Sequence, residues 1–154
     1  MTEQAEKHEQ IKKLTEELLG KLEIQSQVTV AEHDGATLVT LETEEGGILI
    51  GHHGRNLESL QILLGQMVFK TLGTWERVVV TVGDYRARRE EEVKEMANTS
   101  AQKVIETKEP VVLIGLTPAE RRIIHLTLEE HPEVVSESSG EGRDRKLTIK
   151  LKSE

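Results

Sequence analysis

Apolar and polar positions along this chain change period several times, and each change marks an element. Ile11, Leu14, Leu18, Leu19 and Leu22 recur at helical spacing among Glu and Lys, with Gly20 near the expected stop. Residues 27–32 and 37–43 alternate instead, and Asp34-Gly35 between them predicts a tight hairpin. The apolar triplet Ile48, Leu49, Ile50 then runs into Gly51-His52-His53-Gly54. A long helix is predicted over about 56–72, with Leu57, Leu60, Leu64, Met67 and Val68 on one face, and a strand over 77–82. The order α-β-β-α-turn-α-β makes a helix-turn-helix on a three-stranded sheet, a compact α+β domain.

From Tyr85 the period changes again. Val93, Met96, Ala97, Ser100 and Val104 form a narrow stripe on a charged helix that should reach about Thr107, before Glu109-Pro110 stops it. Residues 111–114 are a short apolar strand. Thr117-Pro118-Ala119-Glu120 then marks a helix start unusually well: a threonine N-cap, a proline at the first helical position and a glutamate three residues after the cap. That helix carries Ile123, Ile124, Leu126 and Leu128 and stops before Pro132. Strands are predicted at 134–138 and 146–151, around the loop 139–144. A second small α+β module results, dividing the chain into residues 1–84 and 85–154, with a junction helix at 86–107.

Composition narrows the function. The 154 residues contain no cysteine, which excludes disulfides and thiolate metal sites and fits a reducing compartment. No apolar run approaches the roughly 18 residues of a membrane span, and the N-terminal segment is unlike a signal peptide, so a cytoplasmic location is expected. The net charge of −8 speaks against bulk attraction to nucleic acid, so any such contact must be local. Residues 1–84 carry 14 acidic and 7 basic groups, which puts most of the negative charge there. Phe69, Trp75 and Tyr85 are too few to build a stacking platform of several rings.

Two stretches carry candidate chemistry. In Gly51-His52-His53-Gly54 the glycines allow a tight turn and close approach of a ligand. The amides that open the next helix suit an anion such as a phosphate, and Arg55 adds a charged donor. The plainer reading is a helix-helix turn with solvated histidines. On the capped helix Arg121, His125 and Glu129 share one face, recurring every fourth residue. With Arg122, and with Arg143, Arg145 and Lys146 if the last strand packs alongside, they would form a phosphate-binding edge. The alternative is a ladder within the helix, in which Arg121 and Glu129 flank a histidine that only serves the fold. Arg86, Arg88 and Arg89 either touch nucleic acid or, more simply, pair with Glu90, Glu91, Glu92 and Glu95. No metal-ligand spacing, no cofactor loop and no catalytic triad or Walker-type lysine is present, so the sequence does not describe an enzyme.

The glycine turn within its element order resembles a type II KH domain. The run Gly83 to Glu91 and the later Glu120 to His125 are similar to Jag (SpoIIIJ-associated, KhpB-type) bacterial proteins. There a KH domain precedes an R-3-H domain, named for an Arg and a His with three residues between them, here Arg121 and His125. The resemblance spans about residues 8–152. It implies binding of single-stranded RNA, with single-stranded DNA as a second ligand, in a cytoplasmic protein. It further implies regulatory or RNA-chaperone roles linked to cell shape and envelope growth. Pairing with a smaller KH-only protein, or with a second copy, is also implied. The chain departs from the family in beginning without an N-terminal Jag domain. It also has histidines where many KH loops carry Lys or Arg, so the turn should hold phosphate more tightly as pH falls and the imidazoles gain charge. The expected KH cleft takes about four nucleotides, with bases against Ile48, Ile50 and Leu57. A different class of function, a protein-interaction adaptor with vestigial RNA binding, is favoured by the acidic first half.

Overall fold

A computed structural model describes residues 2–153 and gives a mixed α+β protein. The chain divides into two units between Arg86 and Ala87.

The first unit opens with α1 (Glu3–Lys21), whose N-cap Thr2 accepts from the Ala5 amide. Ile11, Leu18 and Leu19 face inward. The helix stops at Lys21, one residue past Gly20 and so close to the expected end; beyond it Glu23 takes the left-handed conformation (φ 57°) and the Ile24 amide reaches back to the Leu19 carbonyl. An L-residue accepts that conformation at a cost of about 1–2 kcal/mol, which the burial of Ile24 offsets. β1 (Gln27–His33) and β2 (Ala36–Glu42) are antiparallel, with His33 opposite Ala36. Asp34 (φ 51°) and Gly35 (φ 70°) are both left-handed, the geometry of a two-residue hairpin whose twist matches the strands.

The triplet 48–50 belongs to a short helix, α2 (Gly46–Ile50). One 3-10 turn (His52–Gly54), α3 (Arg55–Leu72) and β3 (Val78–Val82) follow. β3 lies parallel to β2, so the sheet order is β1-β2-β3 with β3 at an edge. Val28, Val39, Leu41 and Val80 from the sheet bury themselves against α1 and against Leu57, Leu64 and Val68 of α3.

The division falls just inside α4 (Tyr85–Thr107). In the second unit Val93, Ala97, Ala101 and Val104 of α4 join Ile124 and Leu128 of α5 (Pro118–Leu128) in one core. The sheet beneath comprises β4 (Val111–Leu113), β5 (Val134–Ser139) and β6 (Lys146–Leu151) in the antiparallel order β4-β6-β5. Ile114, expected in the first of these strands, lies outside it and is exposed.

The start of α5 follows its residue types. The Thr117 hydroxyl accepts from the Glu120 amide at 3.2 Å, and the Glu120 carboxylate accepts from the Thr117 amide at 3.0 Å. Glu120 is almost fully buried, and its other oxygen receives Arg89 Nε at 2.7 Å. Arg89 also reaches Glu92, while Glu90 and Glu91 hold Lys94. Among the described residues no helix is long and apolar enough to cross a membrane.

Candidate nucleic-acid interface

In the first unit the glycine turn is shaped by what surrounds it. Gly51 (φ 67°, ψ −170°) occupies a region open only to glycine, and a Cβ there would meet Asn56 Cγ at 2.5 Å. Asn56 is held in place by donating Nδ2–H to the Ile48 carbonyl at 2.9 Å, which ties the start of α3 to the end of α2. His53 (φ 53°) and Gly54 (φ 77°) are left-handed, and the Tyr85 ring covers Gly54, with Oη 3.1 Å from where a Cβ would stand. The rings of His52 and His53 stack at 3.9 Å. His52, His53 and Arg55 are all exposed. The Arg55 amide donates to the His52 carbonyl, and Gly54 offers no side chain to cap the rest of the first turn, so the positive dipole end of a helix of about five turns lies beside two imidazoles and a guanidinium. That arrangement can hold an anion.

Of the apolar residues expected to meet bases, Ile48 is exposed and Ile50 half-buried, but Leu57 is a core residue at 2% exposure and cannot contact a ligand. It follows Gly54 by three residues, which turns it onto the face of α3 that packs on the sheet.

Next to the turn, the free edge of β3 is covered by side chains. Gln61 Oε1 accepts from the Val80 amide at 3.0 Å, Arg86 Nε donates to the Val80 carbonyl at 2.6 Å, and Arg86 Nη2 donates to Gln61 Oε1 at 2.6 Å. Burial of the guanidinium against the strand lowers its pKa, opposed by Glu58 and Tyr85. Arg86 therefore serves the sheet edge, and not the acidic run with which its sequence position pairs it.

In the second unit the helix face bearing Arg121 and His125 looks toward β5. Arg121 Nη1 donates to the Leu116 carbonyl at 2.7 Å. Both ring nitrogens of His125 have hydroxyl partners, Nδ1 with Ser136 Oγ at 2.6 Å and Nε2 with Ser138 Oγ at 2.8 Å. Arg121 is therefore bonded to the segment ahead of α5 and His125 to the neighbouring strand, the histidine contacts being of the fold-serving kind that the plainer reading expects. Arg121, Arg122, His125, Ser138 and Arg145 line one concavity, with Pro118 and Leu126 as its apolar wall. Arg145 is steadied by donating to the Gly140 carbonyl at 2.9 Å. Arg143 and Lys146 are exposed but do not line this concavity, so of the basic cluster only Arg145 joins the helix. Three guanidiniums in one depression can bind a phosphate oxygen set through charge-assisted hydrogen bonds.

Asn56, Gln61, Tyr85, Ser136 and Ser138 are the side chains that sequence reasoning did not single out. Only the serines leave a trace in the text: 136 and 138 alternate in a predicted strand, so they share a face.

Residues 91–151 match the R-3-H domain family. The RNA-binding protein KhpB of Clostridium symbiosum is 41% identical over 116 residues, covering 75% of this chain and 52% of that protein. The RNA-binding protein KhpB of Bacillus subtilis (strain 168) is 31% identical over 141 residues, 90% of this chain and 66% of that protein. KhpB of Lactiplantibacillus plantarum is 33% identical over 117 residues, 76% of this chain and 36% of that protein. The chain thus spans about half the length of the first of these relatives.

Proposed function

Because the chain belongs to the KhpB, Jag-type family, we propose that it binds single-stranded RNA, using residues 1–84 as a type II KH domain and residues 85–154 as an R-3-H domain. The observation that carries this reading is the concavity on α5, where Arg121, Arg122 and Arg145 converge beside His125 inside the stretch that matches the R-3-H family. The glycine turn supplies a second phosphate site: Gly51 and Gly54 bring the backbone close, and His52, His53 and Arg55 lie at the N-terminus of α3, which no side chain caps. Both sites hold backbone phosphates, which suits single strands without strong sequence preference. Their local positive character lets an acidic chain bind RNA. Relatives named as RNA-binding proteins, and not as enzymes, fit a binding role.

The test is fluorescence anisotropy with a labelled ten-nucleotide single-stranded RNA at low salt. Paired His52→Asp and His53→Asp changes leave both glycines in place and set two negative charges against phosphate. Arg121→Ala removes one guanidinium from the other site. Each variant should weaken binding by about tenfold or more, and the wild-type log-log salt slope should be about −0.7 per phosphate neutralised. Absence of saturable binding by the natural chain would reject the RNA reading.

One observation favours a second role beside the first. Ile62 and Phe69, two turns apart on α3, are exposed together with Leu63 and Trp75, an apolar stripe in the acidic unit. Such a stripe fits pairing with a KH-only protein or a second copy. Light scattering would detect a dimer of the natural chain, and Ile62→Asp should dissociate it.

A further inference from the structure

We propose that Ser138 is the phosphate donor of the α5 concavity and that His125 acts through it, as a positioning residue that does not itself touch the ligand. This rests on the RNA reading above and assigns the atoms within it. A neutral imidazole carries one N–H, so its two hydroxyl partners cannot play the same part. With the proton on Nδ1, the ring donates to Ser136 and Ser138 must donate to Nε2, which spends the Ser138 hydrogen on the ring. With the proton on Nε2, Ser136 donates to Nδ1, the ring donates to Ser138, and the Ser138 hydrogen is free to point elsewhere.

The surroundings decide which arrangement an anion selects. Ser138 lines the depression that holds Arg121, Arg122 and Arg145. Ser136 lies on the other side of the ring, in a depression that it shares with Glu129 and Lys152. A phosphate among the arginines gains a hydroxyl donor only in the Nε2–H tautomer. Binding therefore sets a directed chain, Ser136 O–H to Nδ1, Nε2–H to Ser138 Oγ, and Ser138 O–H to a phosphate oxygen, in which each bond polarises the next. The ring is clamped at both ends, so it orients the hydroxyl without moving.

The experiment uses the full chain with the same labelled RNA, together with the long-range 15N spectrum of the His125 imidazole, assigned by its loss in His125→Phe. Ser138→Ala and His125→Phe should each reduce affinity by about tenfold, the scale of one hydrogen bond to a charged group. The double variant should lose no more than either alone, since both remove the same contact. Ser138→Thr, which keeps the hydroxyl, should restore most of the binding. RNA should move the ring of the natural chain to the Nε2–H tautomer. Unchanged affinity in Ser138→Ala, or losses that multiply to about a hundredfold in the double variant, would overturn the proposal. Should the natural chain bind no RNA, inorganic phosphate serves as the probe. A shift of the Ser138 amide with a move to Nε2–H would uphold the assignment while the RNA reading falls, and an unchanged tautomer would end both.

Discussion

Replacing Gly51 by alanine tests whether the glycine turn is dictated by local geometry. At φ 67° and ψ −170° an L-residue is strained, at a cost of about 1–3 kcal/mol. The added Cβ would stand 2.5 Å from Asn56 Cγ and 2.7 Å from its Nδ2, so the amide side chain must leave and its 2.9 Å bond to the Ile48 carbonyl is lost, about 0.5–1.5 kcal/mol more. The expected loss is about 2–4 kcal/mol, a large part of the stability of a small unit. Trp75, the chain's single tryptophan, lies in this unit 5.9 Å from Phe69, so its fluorescence in a urea titration follows the affected half. With a slope of about 1–2 kcal/mol per molar urea, the midpoint should fall by about 1–4 M. In an Asn56→Ala background the same change should cost about 1 kcal/mol less, because the displaced bond is already gone. A midpoint within about 0.3 M of the natural chain would refute the account of why glycine stands at this position.

Other positions give opposite or graded outcomes. Gly65 sits inside α3 with ordinary helical backbone and nothing within 4 Å of a built Cβ, so Gly65→Ala should raise stability by about 0.5–1 kcal/mol in the same titration. Glu120→Ala removes both the α5 cap and the carboxylate of a buried ion pair with Arg89; a loss of about 3–5 kcal/mol is expected from circular dichroism in urea, and roughly half of that for Glu120→Gln. Gln61→Ala takes the acceptor from the Val80 amide at the sheet edge, and hydrogen exchange of that amide should quicken by about tenfold. An unchanged exchange rate would mean that the edge is protected by something else.

Local chemistry was readable because it acts over a few residues. Asp34-Gly35 specified a hairpin, since both residues must turn left-handed and these two types do so readily. Thr117-Pro118-Ala119-Glu120 specified a helix start, and each side-chain bond it implies is made within three residues. Helical and alternating periods located the elements, because one face of each had to be apolar to pack. The pairing of elements was a different matter. Gly20 marked the end of α1 to within one residue, but nothing local to it showed that the left-handed turn beyond would fall at Glu23, beside the buried Ile24. Leu57 resembled a ligand-facing residue until the packing of α3 turned it into the core. Arg86 lies next to an acidic run in sequence but bonds Val80 and Gln61, 6 and 25 residues away. His125 finds its partners 11 and 13 residues along the chain, on a strand.

The amino-acid sequence alone thus determined the elements, the glycine turn and the Arg121 and His125 pair, all of which depend on backbone sterics and neighbours within one or two turns. Only the tertiary structure decided which side chains surround them. Strand register and helix docking are set by burial of whole faces, and a polar group takes as partner whatever that docking brings within about 3 Å. Asn56 behind Gly51, the covered edge of β3 and the two serines that hold His125 are all consequences of that docking.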